Sequence, residues 1–223
     1  MTIATIAILS GLLTFNGQPA SDQRILVVNE QADSILYAVD TDSAGHFVWD
    51  YPEQLQGEKV HLITKLRTME VAAAKYVPIQ LSGEMNVVID IRSEELQDVS
   101  IKLTGKQGVP ESFMFHLNAL SVSGIPDELV HFLAREDDQT GGTYYYPLFD
   151  SSFVSLKIMK GIYSLNAWHF TLGKAFGPGK SPPGFETISA TNNGLLLKEV
   201  GDSGFVIEVK AKEEVVLEMA LSE

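Results

Sequence analysis

The chain has no cysteine, which removes disulfides, thiolate metal sites and cysteine nucleophiles together. Positive charge is also scarce: 16 Lys and Arg face 29 Asp and Glu, for a formal net charge of −13. Such a field repels nucleic acid and anionic membrane surfaces, and basic residues such as Lys102, Lys106, Lys157 and Lys160 are scattered singly. No apolar run reaches the ~18 residues needed to span a bilayer as a helix. The five histidines (His46, His61, His116, His131 and His169) form no His-x-x-Glu or His-Glu-x-x-His pattern. A zinc hydrolase signature is therefore missing, and neither a cofactor nor a metal is expected.

What is present is ordinary globular material. Apolar residues make up 45% and charged residues 20% of 223 positions, enough for one large sandwich or two smaller domains. The opening "MTIATIAILSGLLTF" has the apolar core of a secretory signal, but no basic residue precedes it and the first is Arg24. The nearest cleavage candidate, after Ala20, places Gln18 where a small residue is required. A buried strand near the start of the chain is the expectation.

Strand signals continue throughout. Asn16-Gly17 supplies the positive φ of a tight turn, and Pro19 is expected to stop the strand. "RILVVN" (24–29) and "SILYAV" (34–39) are β-branched and apolar. In "TDSAGHFVWD" (41–50), Asp42 and Ser43 can bond the turn backbone and Gly45 can turn left-handed. His46 and Val48 then point one way, Phe47 and Trp49 the other. In "KVHLITKLR" (59–67), Val60, Leu62, Thr64 and Leu66 share one side. After "LSGEM" (81–85) a second series of short strands runs to the end, interrupted by "IPDELVHFLARE" (125–136), which reads either as a helix or as one more strand. The fold class expected is all-β, with two tandem antiparallel β-sandwich domains over 1–82 and 83–223, the second larger and carrying long loops.

The first eighty or so residues resemble the carboxypeptidase regulatory-like domain. The resemblance rests on Gly17-Gln18-Pro19-Ala20 after a first strand, on the turn residues Thr41, Asp42, Gly45 and Phe47, and on a strand led by Gly57. It implies a prealbumin-like (transthyretin-type) β-sandwich with Phe47 plugging the core. A fainter echo of the same cadence lies in "SLKIMKGIYSLNAW" (155–168). Fold analogy does not by itself supply a function.

Several motifs approach known chemistry and fall short. "GKAFGPGKS" (173–181) has the wrong spacing for a phosphate loop, and the following "PPG" opposes the helix such a loop needs. "GDSGF" (201–205) suits a hairpin turn better than a serine nucleophile, because no suitable histidine context exists. "DTDSAG" (40–45) opens like a calcium loop, yet position five is Ala44 and position twelve is Tyr51. A looser calcium site at Asp40 and Asp42 stays open, and "EDD" (136–138) reads as a solvated loop or, alternatively, a cation site. "YYY" is different: Tyr144 and Tyr146 share a strand face and Tyr145 takes the other, so a ring is available to a partner unless all pack at a sheet edge.

No convergent acid, base and nucleophile emerges, so catalytic residues are not expected. The reading is a non-catalytic structural or interaction module, a subunit of a virion or other large extracellular assembly that binds other protein subunits. The alternative is a carbohydrate-binding module, with Tyr144, Tyr145, Tyr146 and Trp168 as glycan contacts. A transthyretin-like hydrolase ranks third.

Overall fold

A computed structural model of the chain describes residues 6–68, 70–105, 112–134, 144–149, 153–169, 185–199 and 204–221. The chain forms two compact units, one of residues 1–96 with 124–133, the other of 97–123 with 134–223. Both are built of β-sheets, and the described residues contain a single α-helix.

The first unit holds β1 (Ile6–Phe15), β2 (Gln18–Pro19), β3 (Arg24–Asn29), β4 (Ile35–Asp40), β5 (His46–Pro52), β6 (Lys59–Arg67), β7 (Val71–Gln80) and β8 (Met85–Ile91). One sheet joins β2, β1 and β5, with β8 added along β1; the other runs β7-β6-β3-β4. Asn16 and Gly17 both take positive φ, 51° and 74°, so the sharp turn forms as its residues require. The strand stops at Pro19, the last residue of β2, as expected. Gln18 and Pro19 pair with Phe15 and Thr14, an arrangement a proline tolerates in a short edge strand.

β5 alternates as its sequence demands. Phe47, Trp49 and Tyr51 are buried while His46, Val48 and Asp50 face solvent. Phe47 stands opposite Gly11 of β1, and its ring occupies the space a side chain at Gly11 would fill. A Cβ there would also lie 2.6 Å from the Val87 carbonyl oxygen of β8. The glycine thus lets three strands close around one aromatic ring.

β6 departs from simple amphipathy. Val60, Leu62, Thr64 and Leu66 are buried as expected, but Ile63 and Lys65 on the opposite face are buried too, Lys65 at 1% exposure. The 125–136 segment, read either as a helix or as one more strand, is helical over Asp127–Ala134. α1 (Asp127–Ala134) opens with Asp127 and Glu128 in its first turn, where acidic side chains offset the helix dipole. Its Leu129, Val130, Phe132 and Leu133 are buried, and Glu128 lies close enough to Tyr76 of β7 to raise that phenol's pKa.

The Ser82-Gly83 position falls in the turn between β7 and β8. Leu81 beside it is fully buried; its N–H donates to the Glu58 carbonyl at 2.9 Å and its carbonyl accepts from Gly57 N–H at 2.8 Å. β8 then runs parallel to β1, from Leu9 opposite Met85 to Phe15 opposite Ile91.

The second unit holds β9 (Leu96–Thr104), β10 (Ser112–Val122), β11 (Tyr144–Phe149), β12 (Phe153–Met159), β13 (Gly161–His169), β14 (Phe185–Asn192), β15 (Leu195–Leu196), β16 (Phe205–Val209) and β17 (Glu213–Leu221). One sheet follows β11-β10-β13-β16 and the other β15-β14-β17-β9-β12. Val99, Ile101, Leu103, Leu156, Ile158, Val215 and Leu217 are buried, alternating with polar positions as strands with one core face should. β9 and β17 pair in parallel. The expectation of antiparallel sheets is corrected at two places, β1–β8 and β9–β17. In both, the partners come from distant parts of the chain, where no hairpin forces opposed directions.

Candidate functional site

The turn from Asp42 to Gly45 is a structural device. One Asp42 carboxylate oxygen accepts the backbone N–H groups of Ala44 at 2.9 Å and His46 at 2.8 Å. The hydrogen bond from His46 N–H above all, with that from Ala44 N–H, holds the Asp42 carboxyl below its usual range. Asp40 instead meets Arg24 Nε at 2.8 Å. Both carboxylates that a calcium ion would have used are thus engaged within the fold. Among the described residues, no group of three or more His, Asp or Glu side chains converges as metal ligands do.

The aromatic residues singled out from sequence fall in one sheet of the second unit. Tyr144, Tyr145 and Tyr146 stand opposite Leu117, His116 and Phe115 of β10. Trp168 of β13 stands opposite Met114 on the other side of β10. β11 is the terminal strand of that sheet. The side chains of all four aromatic residues lie outside the described part of the structure, as do residues 106–111, 135–143, 170–184 and 200–203. The phosphate-loop-like, "EDD" and Gly-Asp-Ser-Gly segments fall wholly or mostly within those ranges.

A polar pair in the first unit has the geometry of an acid–base relay without its electrostatics. Tyr76 hydroxyl and His61 Nδ1 are 3.2 Å apart, and His61 Nε2 lies 3.1 Å from the Glu30 carbonyl oxygen. With Nε2–H donating to the carbonyl, Nδ1 accepts from the phenol. Burial, and then the Glu128 charge, raise the Tyr76 pKa. An activated phenol would need the opposite shift.

The feature that strand patterning alone did not single out is β4. It is the terminal strand of the β7-β6-β3-β4 sheet, and every residue from Ile35 to Asp40 except Val39 is exposed. Ile35, Leu36 and Tyr37 are all among the exposed large apolar side chains. Tyr37 stacks on Trp49 with ring centroids 5.7 Å apart, which holds the outer ring against the buried one. A register shift occurs between Val27 and Val28, where β4 carries an extra residue. The signal was present in "SILYAV": apolar residues at both parities leave an apolar side chain outward whichever face is buried.

No protein-family model and no curated protein matches the chain. Among solved structures it is similar to the Bacillus anthracis TIE protein, at 10% identity and a TM-score of 0.35, over 96% of this chain and 33% of that one. The chain therefore spans about a third of that protein's length. It is also similar to the major pilin protein T-13 from Streptococcus pyogenes, at 12% identity and a TM-score of 0.32, over 99% and 98% of the two chains. The shaft pilin spaA from Lactobacillus rhamnosus GG gives 8% identity and a TM-score of 0.30, over 98% and 100%. Similarity at this level assigns neither a family nor a function. Among the described residues, no helix is long and apolar enough to cross a membrane.

Proposed function

We propose that the chain is a non-catalytic structural module that joins other protein subunits in a large extracellular assembly, on a virion or a cell surface. The observation that carries this reading is the β4 edge. An edge strand presents unpaired N–H and C=O groups, and soluble proteins usually protect it with lysine, proline or inward-pointing charge. From Ile35 to Val39 there is neither charge nor proline, and the exposed side chains are apolar. A partner strand laid along β4 would gain main-chain hydrogen bonds and cover Leu36 and Tyr37 together. Other terminal strands differ: β2 and β15 have two residues each, β11 contains Pro147, and β5, β8 and β16 carry Asp50, Asp90 and Glu208.

The strand runs β2-β1-β5 and β7-β6-β3-β4 of the first unit support the prealbumin-like reading of residues 1–82, and β8 adds one strand to the first of them. Tyr144, Tyr145, Tyr146 and Trp168 form a second proposed contact, to a protein subunit or a glycan, because the register gathers them in one sheet. Sedimentation velocity of the full chain tests the main proposal. Concentration-dependent association that Ile35→Lys/Leu36→Lys abolishes is the expected result. A chain monomeric at every concentration, with a small molecule turned over, overturns it.

A further inference from the structure

The outward face of the β12-β9-β17 sheet carries a groove of about 570 Å³ lined by Ser100, Lys102, Phe153, Ser155, Lys212 and Glu214. We propose that this groove binds an acidic oligosaccharide, with uronate carboxylates at Lys102 and Lys212 and a sugar ring against Phe153.

Charge favours an anionic ligand. In this acidic chain the cations Arg24, Lys59, Lys75, Arg92, Lys157 and Lys210 each lie beside a carboxylate. Lys102 and Lys212 have no such partner among the described residues, yet they line the same groove. With Glu214 in the same lining, the groove carries two positive charges against one negative, and a ligand carboxylate supplies the missing counter-charge.

The groove is also anchored by a buried polar network. Lys212 sits in the turn between β16 and β17, and that turn is pinned by the buried Glu213. One Glu213 carboxylate oxygen accepts Asn192 Nδ2 at 3.0 Å and Asn193 Nδ2 at 2.6 Å. The other accepts the N–H groups of Lys210 at 3.1 Å and Ala211 at 3.3 Å. Ser100 Oγ–H donates to the Glu213 carbonyl at 3.3 Å, tying β9 to the same turn. The lysine head is flexible, but its backbone is fixed.

The remaining groups select the ligand class. Phe153 is 50% exposed, an apolar surface against which the C–H face of a pyranose can pack. Ser155 can donate to or accept from hydroxyls, and the Glu214 carboxylate can only accept. A ligand carrying both carboxylates and hydroxyls satisfies every one of these groups. An acidic peptide would satisfy the lysines but brings no hydroxyl groups to Ser155 and Glu214, and two ammonium groups are too few to hold nucleic acid against the net charge.

The test is calorimetric titration of the full chain with trigalacturonate at low ionic strength, with maltotriose and pentaglutamate as comparisons. Lys102→Ser/Lys212→Ser is expected to weaken trigalacturonate binding by about tenfold or more, the loss of two charge-assisted contacts. Phe153→Ala should weaken it as well, while Lys160→Ser/Lys198→Ser, which alters two lysines outside the groove, leaves it unchanged. The comparison ligands should not bind. No heat of binding up to about 10 mM trigalacturonate, at the weak end of measurable affinity, overturns the proposal. So does undiminished binding by the groove variant, or equal binding of pentaglutamate, which would reduce the groove to simple charge attraction.

Discussion

Thr14 and Asp90, 76 residues apart in the chain, are joined side chain to side chain: Thr14 Oγ1–H donates to Asp90 Oδ1 at 2.7 Å. The same oxygen accepts Gly17 N–H at 3.1 Å, and Arg92 Nε donates to the other at 3.0 Å. This contact fastens the first turn of the chain to β8. Asp90→Ala should cost roughly 1–3 kcal/mol, since the buried Thr14 hydroxyl and the Gly17 amide lose their acceptor. Chemical denaturation of the variant against the parent measures the loss.

The same carboxylate makes a pH prediction. The Thr14 hydrogen bond first, then Gly17 and Arg92, hold the Asp90 pKa below its ordinary 3.8. Its stabilising contribution is therefore fully present above the unfolded value and lost as pH falls through the lower folded one. The parent should lose stability faster than Asp90→Asn below about pH 4, the range in which unfolded aspartate titrates. Parallel acid titrations followed by tryptophan fluorescence would show it; identical curves would dismiss it.

Phe47 and Gly11 form a matched pair, and each should be intolerant in its own way. Phe47→Ala empties the space between the sheets and should cost about 3–5 kcal/mol. Gly11→Ala overfills the same place and should cost about 1–3 kcal/mol through displaced ring and backbone. Combining the two should cost less than their sum, because the added methyl then has room. Thermal unfolding of the three variants completes the cycle.

Glu213 should be the least replaceable charge in the second unit. Glu213→Ala leaves two asparagine amides and two backbone N–H groups without their acceptor, at a cost of about 2–3 kcal/mol or more. Hydrogen exchange at Lys210 and Ala211 should accelerate even where the unit stays folded. Unchanged exchange there would mean the turn holds without the carboxylate.

A fragment ending at Ser82 lacks β8, which pairs with β1 along seven positions from Leu9 to Phe15. We expect it to remain unfolded in isolation, whereas a polypeptide joining 1–96 to 124–133 regains cooperative melting. Circular dichroism with thermal melts distinguishes them; cooperative folding of the shorter piece would place the first boundary at Ser82-Gly83.

Local chemistry carried a good deal of this molecule into view. Asn16-Gly17, Asp42 with Gly45, and the alternation from His46 to Tyr51 each depend on backbone conformation or period within a few residues, and the strands and turns form as those residues require. The all-β class follows from the same short-range signals repeated along the chain. Everything that depends on which strands meet was settled at the tertiary level instead. Parallel pairing of β1 with β8 and of β9 with β17, the burial of both faces of β6, and the exposure of β4 at a sheet edge arise from contacts between distant segments. Lys102 and Lys212 are 110 positions apart by number, and each reads as an ordinary surface lysine. They line one groove because β9 lies beside β17, a partnership set by the global burial of apolar faces and by no pattern within either strand.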